Sequence, residues 1–146
     1  MPYATLADLT ARFGEAEVAQ LTDRAGTEQV DGSVVDAALA DADATIEGYL
    51  AGRYAVPVAP VPALLRRIAC DLARHTLHGK SAGEAVRRAQ EDALKLLRDL
   101  ANGVAVLPGA TAAAAGANPA ADAGTVRVSA PERVFDRATS IPDFFG

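Results

Sequence analysis

The chain has 146 residues, of which 50% are hydrophobic, and its formal net charge is −5. This length suffices for one domain with a real core, and the acidic balance argues against a free-standing, tight nucleic-acid binder. There is no Trp, with only four Phe and three Tyr, so Ala, Leu and Val must fill the core, which is typical of closely packed helices.

The first part of the chain predicts two short helices and a polar loop. Thr5 and Asp8 have the spacing of a capping box, and Gly14 is suited to end the helix that they begin. A second helix is expected over residues 15–21, where Val and Leu recur at helical spacing. Residues 23–32 are polar and rich in turn formers, so we expect a loop.

A long helix and a proline-rich connector follow this loop. Ser33 is expected to cap the helix, which should end near Arg53. Three prolines between Pro57 and Pro62 predict a stiff, extended connector, and Pro62 suits the first turn of the next helix. The apolar face of the long helix comprises Val35, Leu39, Ala42, Ile46, Tyr49 and Leu50.

Two more amphipathic helices complete the predicted bundle. The first of them should close at Gly79, and Ser81 with Glu84 has the spacing of a capping box for the second. Asn102 and Gly103 are suited to end that helix. The predicted inward positions are Leu64, Leu65, Ile68, Ala69, Leu72, Thr76, Val86, Ala89, Ala93, Leu96, Leu97 and Leu100. We therefore expect an all-α fold, a small bundle of about five helices over residues 1–103.

The composition changes after this bundle. Residues 104–125 are rich in Ala and Gly and predict a flexible linker, in which Val104–Leu107 could form a short strand. Residues 126–146 regain large apolar side chains, including three of the four Phe, and predict an extended arm that docks on a neighbour or folds back on its own domain. The candidate partner-binding residues of the arm are Val126, Val128, Arg133, Val134, Phe135, Arg137, Ile141, Phe144 and Phe145.

Motifs for catalysis, cofactors or metals are weak in this sequence, so we predict neither an enzyme nor a bound cofactor or metal. Asp71, His75 and His78 share a helix face, but they span about 10 Å of helix axis, which is too long for one ion. The loop that begins at Asp23 fails the EF-hand pattern, which needs glycine at position 6 and glutamate at position 12. Cys70 lies in an apolar stretch and is expected to be a small buried core residue in a reducing cytoplasm.

Charges are distributed unevenly along the chain. Acidic residues concentrate between Glu15 and Glu47, whereas Arg66, Arg67 and Arg74 belong to a basic group in the second half of the domain. Such a basic group could contact DNA, an acidic neighbour or only solvent. We take these three arginines as candidate subunit-interface residues, facing the acidic side of the next copy in a head-to-tail contact.

Five stretches of the chain together resemble a known family. They are YATLADLTARFG (3–14), QLTDR (20–24), IEGYLAGRY (46–54), PALLRRIACDLAR (62–74) and VSAPERVFDR (128–137). These stretches resemble the Mu-type phage proteins, with a domain of unknown function, that occur in head-morphogenesis gene clusters. The Ala-rich linker is longer here than the family pattern, and residues 23–27 lack the more acidic, calcium-loop-like form common in that family.

The resemblance implies a function, because the family is similar in helix order to the head–tail adaptors of long-tailed phages. It implies a ring of about a dozen copies beneath the portal protein, assembled in the bacterial cytoplasm and found in the virion neck. The implied partners are other copies of the chain, the portal protein, the next neck or tail-completion protein, and genomic DNA that passes without tight binding; no membrane is implied. The alternative is a small DNA-binding regulator that uses the basic helices after Pro62.

Overall fold

The computed structural model describes residues 2–113, which form a bundle of five α-helices. The helices are α1 (Leu6–Phe13), α2 (Glu15–Thr22), α3 (Gly32–Leu50), α4 (Ala63–His78) and α5 (Glu84–Ala101), with a short 3₁₀ turn at Gly79–Ser81. Within residues 2–113 no strand longer than an isolated bridge is present. The predicted all-α bundle is therefore confirmed.

The start of α1 shows the predicted capping box. The Thr5 hydroxyl accepts a hydrogen bond from the Asp8 amide at 3.3 Å, and the Asp8 carboxylate accepts one from the Thr5 amide at 2.9 Å. Gly14 ends α1 and begins α2 with φ of 91°, a conformation that is accessible mainly to glycine. This single residue therefore sets the sharp change of direction between the two short helices.

Two other predicted caps are wrong. Asp31, not Ser33, caps α3, because its carboxylate accepts hydrogen bonds from both the amide and the hydroxyl of Ser33. The predicted capping box at the start of α5 is absent, since Gly83 is the N-cap and the Ser81 hydroxyl donates instead to the His78 carbonyl at 2.7 Å. The long helix α3 also ends at Leu50, three residues before the predicted end.

The core lies between α3, α4 and α5, with α4 also packed against α1 and α2. Its fully buried side chains are mostly those of the predicted helix faces, because the three- and four-residue spacing places them on one side of each helix. They include Leu9, Val18, Val35, Ile46, Leu50, Leu65, Ile68, Leu97 and Leu100. Among residues 2–113, no helix is both long enough and apolar enough to span a membrane.

The chain after α5 returns to the bundle. Residues 104–107 form no strand, but Leu107 is buried, and its amide donates a hydrogen bond to the Tyr54 hydroxyl at 3.2 Å. Farther on, the Thr111 carbonyl accepts a hydrogen bond from the Ala55 amide at 3.0 Å. The rest of the predicted linker, 114–125, and the predicted arm, 126–146, lie outside the described residues, so the three-part division of the chain stays a prediction.

Candidate subunit interface

A groove rimmed by arginines runs along α4 where that helix meets α1 and α5. One part of it, about 420 Å³, is bordered by Arg12, Arg67, Arg74 and Arg88, and a second part of about 290 Å³ adds Arg66 and shares Arg12 and Arg67 with the first. We call this surface the arginine groove. The side chains of Phe13, Ile68 and Leu96 supply its apolar lining.

A buried carboxylate lies in this groove. The Asp71 side chain is only 9% exposed, and its two oxygens lie 3.5 Å from Arg12 Nε and 3.8 Å from Arg67 Nε. Burial raises the pKa of Asp71, and the nearby charges of Arg12, Arg67 and Arg74 oppose that rise. Asp71 therefore anchors two guanidinium groups by one nitrogen each, and a guanidinium has further N–H donors to offer.

The end of the groove is organised around Glu17 of α2. Arg74 Nε donates to the Glu17 carboxylate at 2.6 Å, and His78 Nε2 lies 3.4 Å from the same oxygen. Burial alone would raise the pKa of Glu17, but the hydrogen bonds from Arg74 and His78 outweigh it and hold the pKa below its usual range. The Arg74 guanidinium also lies 4.4 Å from the centre of the Phe13 ring, a cation–π distance.

A second surface, on the outer side of α3, is acidic. Asp36, Asp43 and Glu47 line a shallow groove beside the N-terminal segment, together with the small exposed residues Ala40 and Ala44. We call these five residues the α3 acidic face. The backbone amide of Tyr3 donates to the Asp43 carboxylate at 3.1 Å, and burial raises the pKa of Asp43. No residue lines both this surface and the arginine groove.

These observations place the three arginines that the sequence nominated. Arg66, Arg67 and Arg74 all border the arginine groove, and each lies within 4.0 Å of a carboxylate, that of Asp8, Asp71 or Glu17 respectively. Sequence reasoning missed Arg12, which reaches the groove from α1. Its only sequence signal is a basic residue in the last turn of α1, and its contact with Asp71 spans 59 positions of the chain.

The sequence patterns that came closest to metal sites have other partners. His78 contacts Glu17 and Asp71 contacts arginines, and no group of three potential ligands is present among residues 2–113. The Asp23 carboxylate accepts hydrogen bonds from the amides of Thr27 and Glu28, which lower the pKa of Asp23, and from the Ala25 amide. The Asp23 carboxylate therefore stabilises the loop that follows it. Burial raises the pKa of Cys70 to about 11, as fits a core thiol.

Comparison with known proteins identifies the family of this chain. The model of a family described as "Bacteriophage Mu, Gp36" matches residues 3–128. This chain belongs to the bacteriophage Mu Gp36 family. Among its relatives is "Gene product J" of Escherichia phage Mu, 36% identical over 104 residues, which are 70% of this chain and 74% of that protein. Another is "Mu-like prophage FluMu protein gp36" of Haemophilus influenzae, 35% identical over 101 residues, 69% of this chain and 72% of that protein.

The Gp36 family match includes both surfaces described above, since every residue that borders them lies between positions 2 and 96, all but Pro2 inside the matched range. The predicted arm is only partly inside that range. Two of its candidate residues are within it, and the others follow its end at 128. All of them lie outside the described residues: Val126, Val128, Arg133, Val134, Phe135, Arg137, Ile141, Phe144 and Phe145.

Proposed function

We propose that this Gp36-family protein is a structural head–tail adaptor of a tailed phage, forming a ring beneath the portal protein. The observation that carries the proposal is its membership of a family of Mu-type phage gene products. The fold supports it, because a ring subunit needs two different surfaces that meet in a head-to-tail contact. The arginine groove and the α3 acidic face are separate surfaces of opposite charge and are the candidates for this contact.

The proposed mechanism is geometric. The ring converts the surface of the portal into one that the next neck or tail-completion protein binds, and it leaves a channel through which genomic DNA passes. The arm, residues 126–146, reaches the portal with its apolar residues. Acidic side chains on the channel wall repel the phosphates, so that DNA does not adhere during its passage.

The decisive experiment deletes the gene from the parent phage or prophage and examines the induced lysate by electron microscopy. The adaptor function predicts DNA-filled heads and separate, unattached tails, with joining restored by the gene in trans. Normal, infectious particles would reject the adaptor function.

A second candidate is a small DNA-binding regulator, and the arginines of α4 are the observation that favours it. The net charge of −5 weighs against it, because the phosphates of DNA repel an acidic protein. Binding of the purified protein to duplex DNA over a range of salt concentrations separates the two. The adaptor function predicts no binding at physiological salt, whereas a regulator binds with an affinity that falls steeply as salt rises.

A further inference from the structure

We propose that the arginine groove of one copy binds the α3 acidic face of a second copy of the same chain. The proposal deepens the adaptor function, because it assigns the two surfaces that meet between neighbours in the ring. The contact itself, however, concerns only this protein and can be tested on purified chains.

Charge is the first argument for this pairing. Residues 25–52, which include the whole of α3, contain six acidic residues and no Lys or Arg. Across its two parts the arginine groove is lined by five arginines and three carboxylates, those of Asp8, Asp71 and Asp92, so its lining carries a net positive charge. Arg74 and Arg88 also contact Glu17 and Glu84 beside the groove. Two copies with a net charge of −5 repel each other as whole molecules, and a contact that brings a basic surface against an acidic one offsets this repulsion.

Small side chains lie on both surfaces. Ala40 and Ala44 are exposed on α3 between its acidic residues, so the backbone of this helix can come close to a partner. The groove presents Ala85 and Ala89 on α5 and the half-buried rings and chains of Phe13 and Leu96. Both surfaces therefore combine small or apolar residues with charged residues, and the charges are of opposite sign.

The arginines have hydrogen-bonding capacity left for such a partner. Arg12 and Arg67 approach Asp71 through Nε at 3.5 and 3.8 Å, and a guanidinium carries five N–H donors. The attraction of Asp71 keeps both guanidinium groups at the groove, where a carboxylate of the neighbour can reach them. On the other surface Asp36 is exposed, and its carboxylate is available as an acceptor.

The two surfaces share no residue, so one chain can use both at the same time. A contact between different surfaces is heterologous and continues from copy to copy, closing into a ring where the rotation permits. Two identical surfaces would instead stop at a dimer.

The test joins the two surfaces chemically in the full-length protein. One preparation carries Ala40→Cys in the α3 acidic face and the other carries Ala85→Cys in the groove, and they are mixed with a flexible bismaleimide at low salt. Cys70 is buried, so the unsubstituted protein serves as the control for background cross-linking. Random encounters between equal amounts of the two preparations give twice as much heterodimer as either homodimer. The proposal predicts a heterodimer yield well above this ratio, and a yield at or below it overturns the proposal.

Charge reversal then tests the pairing itself. Arg66→Glu with Arg88→Glu in the groove partner should lower the heterodimer yield about tenfold or more, because both residues are more than half exposed and border the groove. Asp36→Lys with Ala44→Lys, introduced into the preparation that carries Ala40→Cys, should also lower the heterodimer yield. Combining the two reversed partners should restore the yield. Arg87→Glu with Arg98→Glu, an equal charge change on α5 outside the groove, should leave it unchanged.

The outcomes separate this contact from the adaptor function. Loss of yield with the Arg87/Arg98 control, or no restoration by the combined reversals, overturns the pairing. If the pairing is overturned but the gene deletion still gives unattached heads and tails, the adaptor function holds without this contact. If the heterodimer yields of the charge-reversal variants are as predicted but deletion of the gene gives normal particles, the contact holds and the adaptor function is rejected.

Discussion

At the scale of single residues, two tyrosine hydroxyls hold the non-helical segments against the bundle. The Tyr3 hydroxyl accepts a hydrogen bond from the Val58 amide at 3.1 Å, and the Tyr54 hydroxyl accepts one from the Leu107 amide. Both amides are buried, and neither belongs to a helix. A buried N–H group that loses its acceptor costs free energy, so these hydroxyls stabilise the proline-rich connector and the segment after α5.

Tyr3→Phe should lower the free energy of unfolding by about 1–3 kcal/mol, because it leaves the Val58 amide buried without an acceptor. Urea denaturation at pH 7 measures this change. Tyr49→Phe is the matched control, since Tyr49 is a partly exposed tyrosine of α3, and its cost should stay within about 0.5 kcal/mol. Equal losses in both variants would contradict the assigned role of the Tyr3 hydroxyl.

Glu17→Gln should lower stability at neutral pH by about 1 kcal/mol, because it removes the charge that Arg74 and His78 contact. The pKa of Glu17 is lowered in the folded protein, so its stabilisation is present above the ordinary Glu pKa and is lost as pH falls through the folded value. The difference between variant and wild type should therefore narrow below about pH 4. Urea titrations at several pH values measure it, with Glu15→Gln on the same helix as the control, and a constant difference would argue against the ion pair.

At the scale of helices and connectors, the sequence predicts the features that depend on periodic apolar spacing or on residues within one helical turn. Apolar spacing identified α3, α4 and α5, and the Thr5–Asp8 capping box was correct because both partners lie within one turn. The caps at Ser33 and Ser81 were wrong because another residue nearby, Asp31 or Gly83, takes the capping position. Neither apolar spacing nor local capping motifs could reveal the burial of Tyr3 and Leu107 or the Arg12–Asp71 contact, because these depend on packing between distant segments.

The segment after α5 allows a direct test of where the folded body ends. Leu107→Ala should lower the free energy of unfolding by about 2–4 kcal/mol, because the side chain is 2% exposed in the core. Val106→Ala, at a position that is 67% exposed, should change it by less than about 0.5 kcal/mol. Thermal and urea denaturation of the full-length variants give both values. If both substitutions change the free energy of unfolding by similarly small amounts, residues 104–113 belong to the linker that the sequence predicts and not to the folded bundle.

At the scale of the whole molecule, acidic and basic side chains are concentrated on different surfaces and are not spread evenly. The acidic residues of α3 and the arginines around α4 line separate surfaces of the bundle. Under the proposed pairing, the net charge of −5 disfavours adhesion to phosphates while the two oppositely charged surfaces attract neighbouring copies.

The last test concerns the arm, residues 126–146, which the proposed function assigns to the portal. Phe135→Ala with Phe144→Ala should reduce the yield of tailed particles about tenfold or more when the variant replaces the wild-type gene, because aromatic anchors carry much of the binding energy of an interface. Ser129→Ala with Ser140→Ala is the control within the same segment. If the arm instead folds back on its own bundle, the phenylalanine variant will unfold at a lower urea concentration. An unchanged midpoint together with unattached heads and tails therefore supports docking on a partner, and a normal yield of particles rejects it.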